Sequence, residues 1–392
     1  MPLINMRDML NHAYENNYAV GAFDLVSLDF LEAVIGAAEH CRAPVILSIA
    51  EHHFVHYDFE LMLPAVEAAA KRASIPVAIQ LDHGHNLESA TKAIKLGCNG
   101  IMLDASNQEL TDNIKLTRSV VDMAHGCGVP VIGELGYVAG MEGEGAEQHP
   151  GESEFTMPAE AKVYVERTGV DCLSVSIGTV QGRMKGRATL DFQRLKQLSQ
   201  TVNIPLSIHG GSGLNEDQFR RLTSMGVAII NYYTALSEVA AKTMKIQTKE
   251  KPNCSFTELK IGVKEAIGTE VERCLRLWGS SGRAAEVLER CEFWLSVEHL
   301  IIHNMNAHSK QSHDSLISEG KQILSQIPGV REVFTGEAMK ENSKYRFCWS
   351  VRFTHQAALD SFRKHQGFST FLKKQLAPNA SDLISIDYRE KT

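Results

Sequence analysis

The chain has 392 residues, of which 44% are apolar and 22% charged, and it carries a net charge of -7. That length accommodates one large domain plus a module of about 100 residues. The acidic balance argues against a nucleic-acid partner, which needs a basic surface to displace counterions from phosphates.

The eight cysteines are scattered, with no Cys-x-x-Cys pair, and read as reduced thiols rather than a disulfide framework. The opening stretch "MPLINMRDML" has no long apolar core, and no apolar run approaches the ~18 residues that span a bilayer. A cytoplasmic protein without a membrane partner is expected.

From Tyr18 to about Thr234 two periods alternate. Short β-branched runs predict buried parallel strands: "YAVGAF" (18–23), "PVILSIA" (44–50), "PVAIQLD" (76–82), "GIMLD" (100–104), "PVIGELG" (130–136), "DCLSVSIG" (171–178), "PLSIHG" (205–210) and "VAIINYY" (227–233). Helical spacing fills the intervals, as in "SLDFLEAVIGAAEH" from Ser27 and "DFELMLPAVEAAAKRA" from Asp58, both N-cap residue types. Pro44, Pro76, Pro130 and Pro205 announce strands and stop the helices before them. Right-handed crossovers leave a doubly wound sheet or a closed (β/α)8 barrel. Eight units without a G-x-G-x-x-G after the first strand favour the TIM barrel.

The connection from Gly136 to Met157 is long and rich in Gly and Glu, the profile of a lid or a disordered loop. A helix within 264–284 ends at Gly279. The character changes again near Ser296. "VEHLIIHNMN", "REVFTGE", "YRFCWSVRF" and "DLISIDYRE" read as strands, with helices at "SHDSLISEGKQILSQIPGV" and "HQAALDSFRKHQGFSTFLKKQL", the latter with a possible break at Gly367. The β-α-β-β-α-β order predicts a ferredoxin-like α+β domain. The boundaries are therefore 1–285 for the barrel, 286–295 for a linker and 296–392 for the second domain.

In a (β/α)8 barrel the chemistry sits at the C-terminal ends of the strands. There the third strand presents Asp82 and His83, the fourth Asp104, the fifth Glu134, the seventh His209 and the eighth Asn231 and Thr234. Neutral imidazole is the commonest zinc ligand, so His83 and His209 are candidate ligands, with Asp104 and Glu134 adding carboxylates to the ring. "HGGSG" (209–213) is a loop whose N–H groups can hold a phosphate. No predicted strand contains a lysine, so a Schiff-base aldol mechanism has no candidate amine there and metal activation of a carbonyl is preferred. His85 and the group His52, His53 and His56 read as solvated loop residues.

The ordered set "GAFD", "LDHG", "GELG", "SIGT…QG…KG", "LDFQRL", "IPLSIHGGSGL" and "N..T" resembles the class II, metal-dependent fructose- or tagatose-bisphosphate aldolases across about residues 1–285. The resemblance implies that Asp82 is the acid/base on the hydroxyl at the cleaved bond. It implies that His83 and His209 bind zinc or another divalent ion, and that Asp104 and Glu134 form a second resting position for it. Gly182, Gly210, Gly211, Ser212, Asn231, Tyr232, Tyr233 and Thr234 match the cradle for the dihydroxyacetone phosphate end. Glu142 matches the carboxylate that moves the enediolate proton.

Departures from the pattern are specific. Gln181 stands where the family has a third zinc histidine, and an amide oxygen is a harder, weaker donor to zinc. Ala50 and Glu51 replace a common Ser or Thr after the second strand, and bulky Tyr232 and Tyr233 sit between Asn231 and Thr234. The last hundred residues resemble the stress-responsive dimeric α/β-barrel domains, through a strand with a histidine, "IPGV" and "SIDY". That resemblance implies face-to-face pairing of sheets, so a homo-oligomer through both domains is expected, with His303 in the packed core. The reading is a ketose-phosphate aldolase; the alternative is a phosphosugar-binding regulatory protein with a metal site degraded at Gln181. A metal-free isomerase using Asp82 and His83 is a third reading, but it leaves the two histidine ligands without a purpose.

Overall fold

The structure, a computed structural model, describes residues 3–138, 147–148, 155–184, 190–306 and 312–390. Glu142 lies outside the described residues. The chain forms two compact units, the first running essentially to Phe293 and the second dominated by Trp294–Thr392.

In the first unit eight strands close into a parallel barrel: β1 (Val20–Asp24), β2 (Val45–Ala50), β3 (Val77–Gly84), β4 (Gly100–Leu103), β5 (Val131–Leu135), β6 (Cys172–Val175), β7 (Leu206–Ile208) and β8 (Val227–Tyr232). Each strand pairs with its sequence neighbours, and β1 pairs in parallel with β8 to close the ring. Every barrel strand is buried along its length. That is why most read as largely apolar runs rather than alternating ones. Pro44, Pro76, Pro130 and Pro205 each immediately precede a strand, at a position where a missing N–H costs the ladder little.

The N-terminal end of the barrel is plugged. The helix Met6–Glu15, capped by the Asn5 side chain accepting from Arg7 N–H at 3.0 Å, lays Met6, Met9 and Leu10 under Val20, Ile46, Ala78, Met102, Ile132, Cys172 and Ala228. Val287, from the helix Ala284–Arg290, joins the same cluster. Much of the segment read as a linker is thus helix, and it contributes to the barrel floor. The plug leaves the C-terminal rim as the open end. Asp58 caps its helix as expected, accepting from Glu60 N–H at 2.8 Å, whereas Ser27 precedes its helix without a side-chain cap bond.

In the second unit four antiparallel strands, β9 (Val297–Met305), β10 (Val330–Glu337), β11 (Phe347–Phe353) and β12 (Ala380–Arg389), stand in the order β10-β11-β9-β12. Helices His313–Leu324 and Gln356–Lys364 lie between them in sequence, giving the expected ferredoxin-like order. The predicted break falls at His365, two residues before Gly367. Along β9 the residues Val297, His299, Ile301 and His303 are buried, while Leu300 and Ile302 on the opposite face are only half-buried. On that face Phe334, Ile384, Ile386 and Tyr388 are exposed. His303 is fully buried, 5.7 Å from the Phe347 ring, as a packed histidine.

Candidate metal centre

Neighbours along a strand point to opposite faces, so Asp82 and His83 should not share a pocket. They do, because the backbone departs from the strand at that point. His83 has φ 47°, in the left-handed region, and the β3–β4 register shifts between Leu81 and Gly84. Such strain in a non-glycine residue is costly, and it re-aims the imidazole into the barrel mouth. His83 Nε2 then lies 3.9 Å from Asp82 Oδ2. Gln80, two residues before Asp82 and hence on its face, donates its amide N–H to Asp82 Oδ1 at 3.1 Å.

Around this pair the other strand ends converge. The His83 and His209 rings are 4.4 Å apart, and His83 Nδ1 donates to Asp104 Oδ2 at 3.0 Å. Asp104 is itself held by the Ser106 hydroxyl at 2.7 Å. Glu134 Oε2 stands 3.7 Å from His209 Nε2 and accepts from Ser174 Oγ at 3.3 Å. Two ligand groups result, Asp82–His83–His209 and His83–Asp104–Glu134, each with potential donor atoms within 4.8 Å of one another. His83 belongs to both.

The electrostatics suit a cation. Burial pushes the Asp82 carboxyl up, against the pull of His83 and His209; burial and the nearby Asp104 charge hold Glu134 well above its ordinary value. Burial, with His83 alongside, lowers His209 to about 4, leaving it neutral with a lone pair to offer. Burial opposes a charge on His83, yet Asp82 and Asp104 outweigh it and raise that imidazole. Three acids thus draw positive charge to one buried spot. Asp82 Oδ2 and Asn231 Oδ1 are buried and have no hydrogen-bond partner among the described residues. Buried acceptors of this kind call for a cation or a donor. Imidazole and carboxylate together suit a divalent transition metal, so the residues present fit one.

Gln181, which the family pattern matches to a third ligand, is buried beside His83. Its amide nitrogen lies 3.1 Å from His83 Nε2, so in this arrangement the amide covers the ring nitrogen that a metal would use. Turning the amide over presents Oε1 instead.

The phosphate-type loop follows β7. Gly210 has φ 70° and Gly182 φ 82°, and a Cβ on Gly210 would collide with the carbonyl of Val180. Only glycine lets these two loops approach so closely. Ser212 Oγ accepts from Ala235 N–H at 3.1 Å, joining the loop to the start of the helix Thr234–Glu250. Asn231 donates to Ser207 Oγ at 2.9 Å and to His209 Nε2 at 3.3 Å. Tyr232 is turned away: its hydroxyl donates to Glu270 Oε1 at 2.7 Å, and its ring packs on Trp278. Its side chain is not brought into the mouth with the others. The long loop after β5 is joined to the loop after β6 by a two-residue parallel pairing, Glu147–Gln148 with Arg183–Met184.

The family model "Fructose-bisphosphate aldolase class-II" matches residues 4–283. The chain belongs to the class II fructose-bisphosphate aldolase family. A second model, "Stress Responsive A/B Barrel Domain", matches residues 297–390. Over 288 residues the chain is 36% identical to the "Probable fructose-bisphosphate aldolase" of Bacillus subtilis (strain 168), covering 72% of this chain and 100% of that protein. It is 35% identical over 294 residues to the fructose-bisphosphate aldolase of Geobacillus stearothermophilus, covering 73% and 100%. Among solved structures, the YdjI aldolase from Escherichia coli K12 matches with a TM-score of 0.63 at 32% identity, covering 72% of this chain and 99% of that one. Class II aldolases are metal-dependent carbon–carbon lyases, and the barrel of this chain is one.

Sequence reasoning missed part of the rim. His52 and His53, read as solvated, belong to a short helical turn, Glu51–Val55, that folds back over the mouth. His53 is 4% exposed, 4.6 Å from the Tyr233 ring, and His52 lies 5.9 Å from His83. No periodicity marks so short a turn. Gln80 was legible, being two residues from Asp82 on one strand.

Proposed function

We propose that the barrel cleaves a phosphorylated ketose by a retro-aldol reaction, releasing dihydroxyacetone phosphate and an aldehyde, and runs the reverse condensation. The observation that carries this reading is the convergence of Asp82, His83, His209, Asp104 and Glu134 in one buried pocket beside a glycine loop. His83 and His209 would hold the divalent ion, zinc in the first instance, with Gln181, Asp104 or Glu134 completing its shell. When bound there, the ion supplies Lewis-acid stabilisation of the charge that develops on the carbonyl half of the substrate.

The protein's own groups divide the remaining work. Asp82 is fixed through Oδ1 by Gln80, which leaves Oδ2 to take the hydroxyl proton at the cleaved bond and return it on condensation. Asn231 Oδ1 is an acceptor for a substrate hydroxyl. Gly182, Gly210, Gly211 and Ser212, with the backbone from Asn231 to Thr234, would cradle the phosphate at the start of the helix Thr234–Glu250. Glu142, by its match to the family pattern, moves the proton at the dihydroxyacetone carbon.

No observation favours a non-catalytic binding protein. A cytoplasmic role in carbohydrate metabolism such as glycolysis is part of the proposal and follows from the ketose-phosphate reaction; among the described residues no helix is long and apolar enough to cross a membrane. The open sheet face of the second unit favours pairing with a second copy of the chain, and no nucleic-acid partner is proposed. The test is a screen of phosphorylated ketoses for release of dihydroxyacetone phosphate, with and without added zinc. Release that depends on metal and stops with chelator supports the proposal; none with any ketose phosphate and any divalent ion overturns it.

A further inference from the structure

The substrate's path across the mouth can be laid out from the strands. The phosphate loop follows β7, the histidines sit centrally, and Asp82 meets the hydroxyl on the aldehyde side of the cleaved bond. The carbons beyond that bond therefore lie past Asp82. In the β2–β3 register Ala50 pairs with Asp82, so Glu51 is the next residue outward at that point. Glu51 Oε2 accepts the backbone N–H of His85 at 2.9 Å, which fixes the carboxylate on the β3 side of the rim. Beside it His52 packs 4.1 Å from His53, and the rings of His83, His52, His53 and Tyr233 form a continuous wall.

The loops after β1, β2, β3 and β4, on either side of Glu51, contain no Lys or Arg in sequence. A phosphate carries close to two negative charges near neutral pH. Placed past Asp82 it would face the half-buried Glu51 carboxylate with no cation from the neighbouring loops to offset the repulsion. An uncharged chain of hydroxyls would instead donate to Glu51 and stack its C–H edges on the imidazole wall.

We infer that the site takes ketose 1-phosphates whose aldehyde half is an uncharged polyol, with Glu51 and His52 as the residues that select against a second phosphate. This rests on the aldolase reading above and narrows its substrate class. The experiment measures kcat/KM on saturating divalent metal for matched pairs, the 1-phosphates and 1,6-bisphosphates of D-fructose and D-tagatose. Native protein is expected to favour a monophosphate by at least ~10-fold, Glu51→Gln to narrow the ratio, and Glu51→Lys to reverse it, with melting curves confirming that each variant folds. A preference for the bisphosphate in native protein, or an unchanged ratio in Glu51→Lys, overturns the inference while leaving the aldolase reading intact. If no compound is cleaved, the aldolase reading fails. Calorimetric binding of the same pairs then judges the pocket alone, and tighter binding of a bisphosphate to native protein overturns the inference.

Discussion

His83 Nε2 and the Gln181 side-chain amide nitrogen lie 3.1 Å apart. If Gln181 completes a metal's shell, as its place in the family pattern implies, its amide must turn over to present Oε1, a neutral oxygen. A third imidazole binds zinc more strongly than an amide oxygen does. Gln181→His is expected to raise zinc affinity by at least ~10-fold, the modest end for gaining a nitrogen ligand. Calorimetric titration of native and variant protein reads this directly, and equal affinities would remove Gln181 from the metal shell.

Asp82→Asn keeps the shape of the side chain and its bond from Gln80 but cannot take a proton. Cleavage is expected to fall by at least ~100-fold, the usual scale for losing a positioned acid/base. Metal content, measured on the same samples, is expected to stay near the native level. Turnover equal to native would exclude Asp82 from the chemistry.

Gly210→Ala forces a Cβ against the carbonyl of Val180 while the backbone sits at φ 70°. The strain alone is of order 1–3 kcal/mol, so urea unfolding should show a loss of at least about 1 kcal/mol. Phosphate-dependent binding should weaken along with it, because the loop must move to relieve the clash.

The acid limb of stability has an identifiable contributor. Burial would raise the Glu270 carboxyl, but hydrogen bonds from Arg273 and from the Tyr232 hydroxyl prevail and hold it below 4.5. A depressed acid stabilises the fold above its unfolded pKa, and that contribution is lost as pH falls through the folded one. Thermal melts of native protein should therefore lose margin below about pH 4.5. Glu270→Gln should start less stable at pH 7 and show a shallower decline there. Parallel profiles for the two proteins would rule out this contribution.

The apolar face formed by Ile302, Ile384, Ile386, Tyr388 and Phe334 lacks cover within its own unit. A fragment spanning 296–392 is expected to sediment as a dimer at micromolar concentration, since a second sheet supplies that cover. Ile386→Lys in the fragment should shift it to monomer. A native fragment that folds as a monomer removes the pairing argument.

Much of this protein was determined by its sequence alone. Strands buried on both faces are largely apolar runs, so all eight could be located, and Pro44, Pro76, Pro130 and Pro205 placed several of their starts. Once eight parallel units close, the rule that chemistry sits at strand C-termini selects Asp82, His83, Asp104, Glu134 and His209 without coordinates. The directions of side chains were a different matter. Period two puts Asp82 and His83 on opposite faces, and only the left-handed turn at His83 with the β3–β4 register shift brings both to one pocket. Tyr232 and Tyr233, adjacent in sequence, part company because Glu270 from a distant helix captures one hydroxyl while His53 packs on the other ring. The wall of His52 and His53 arises from a single turn too short to carry a period, held where β2 meets β3. Local pattern determines which elements form and which face is apolar; bulges, long-range partners and loop returns decide where each polar side chain ends up, because those forces act between residues far apart in the chain.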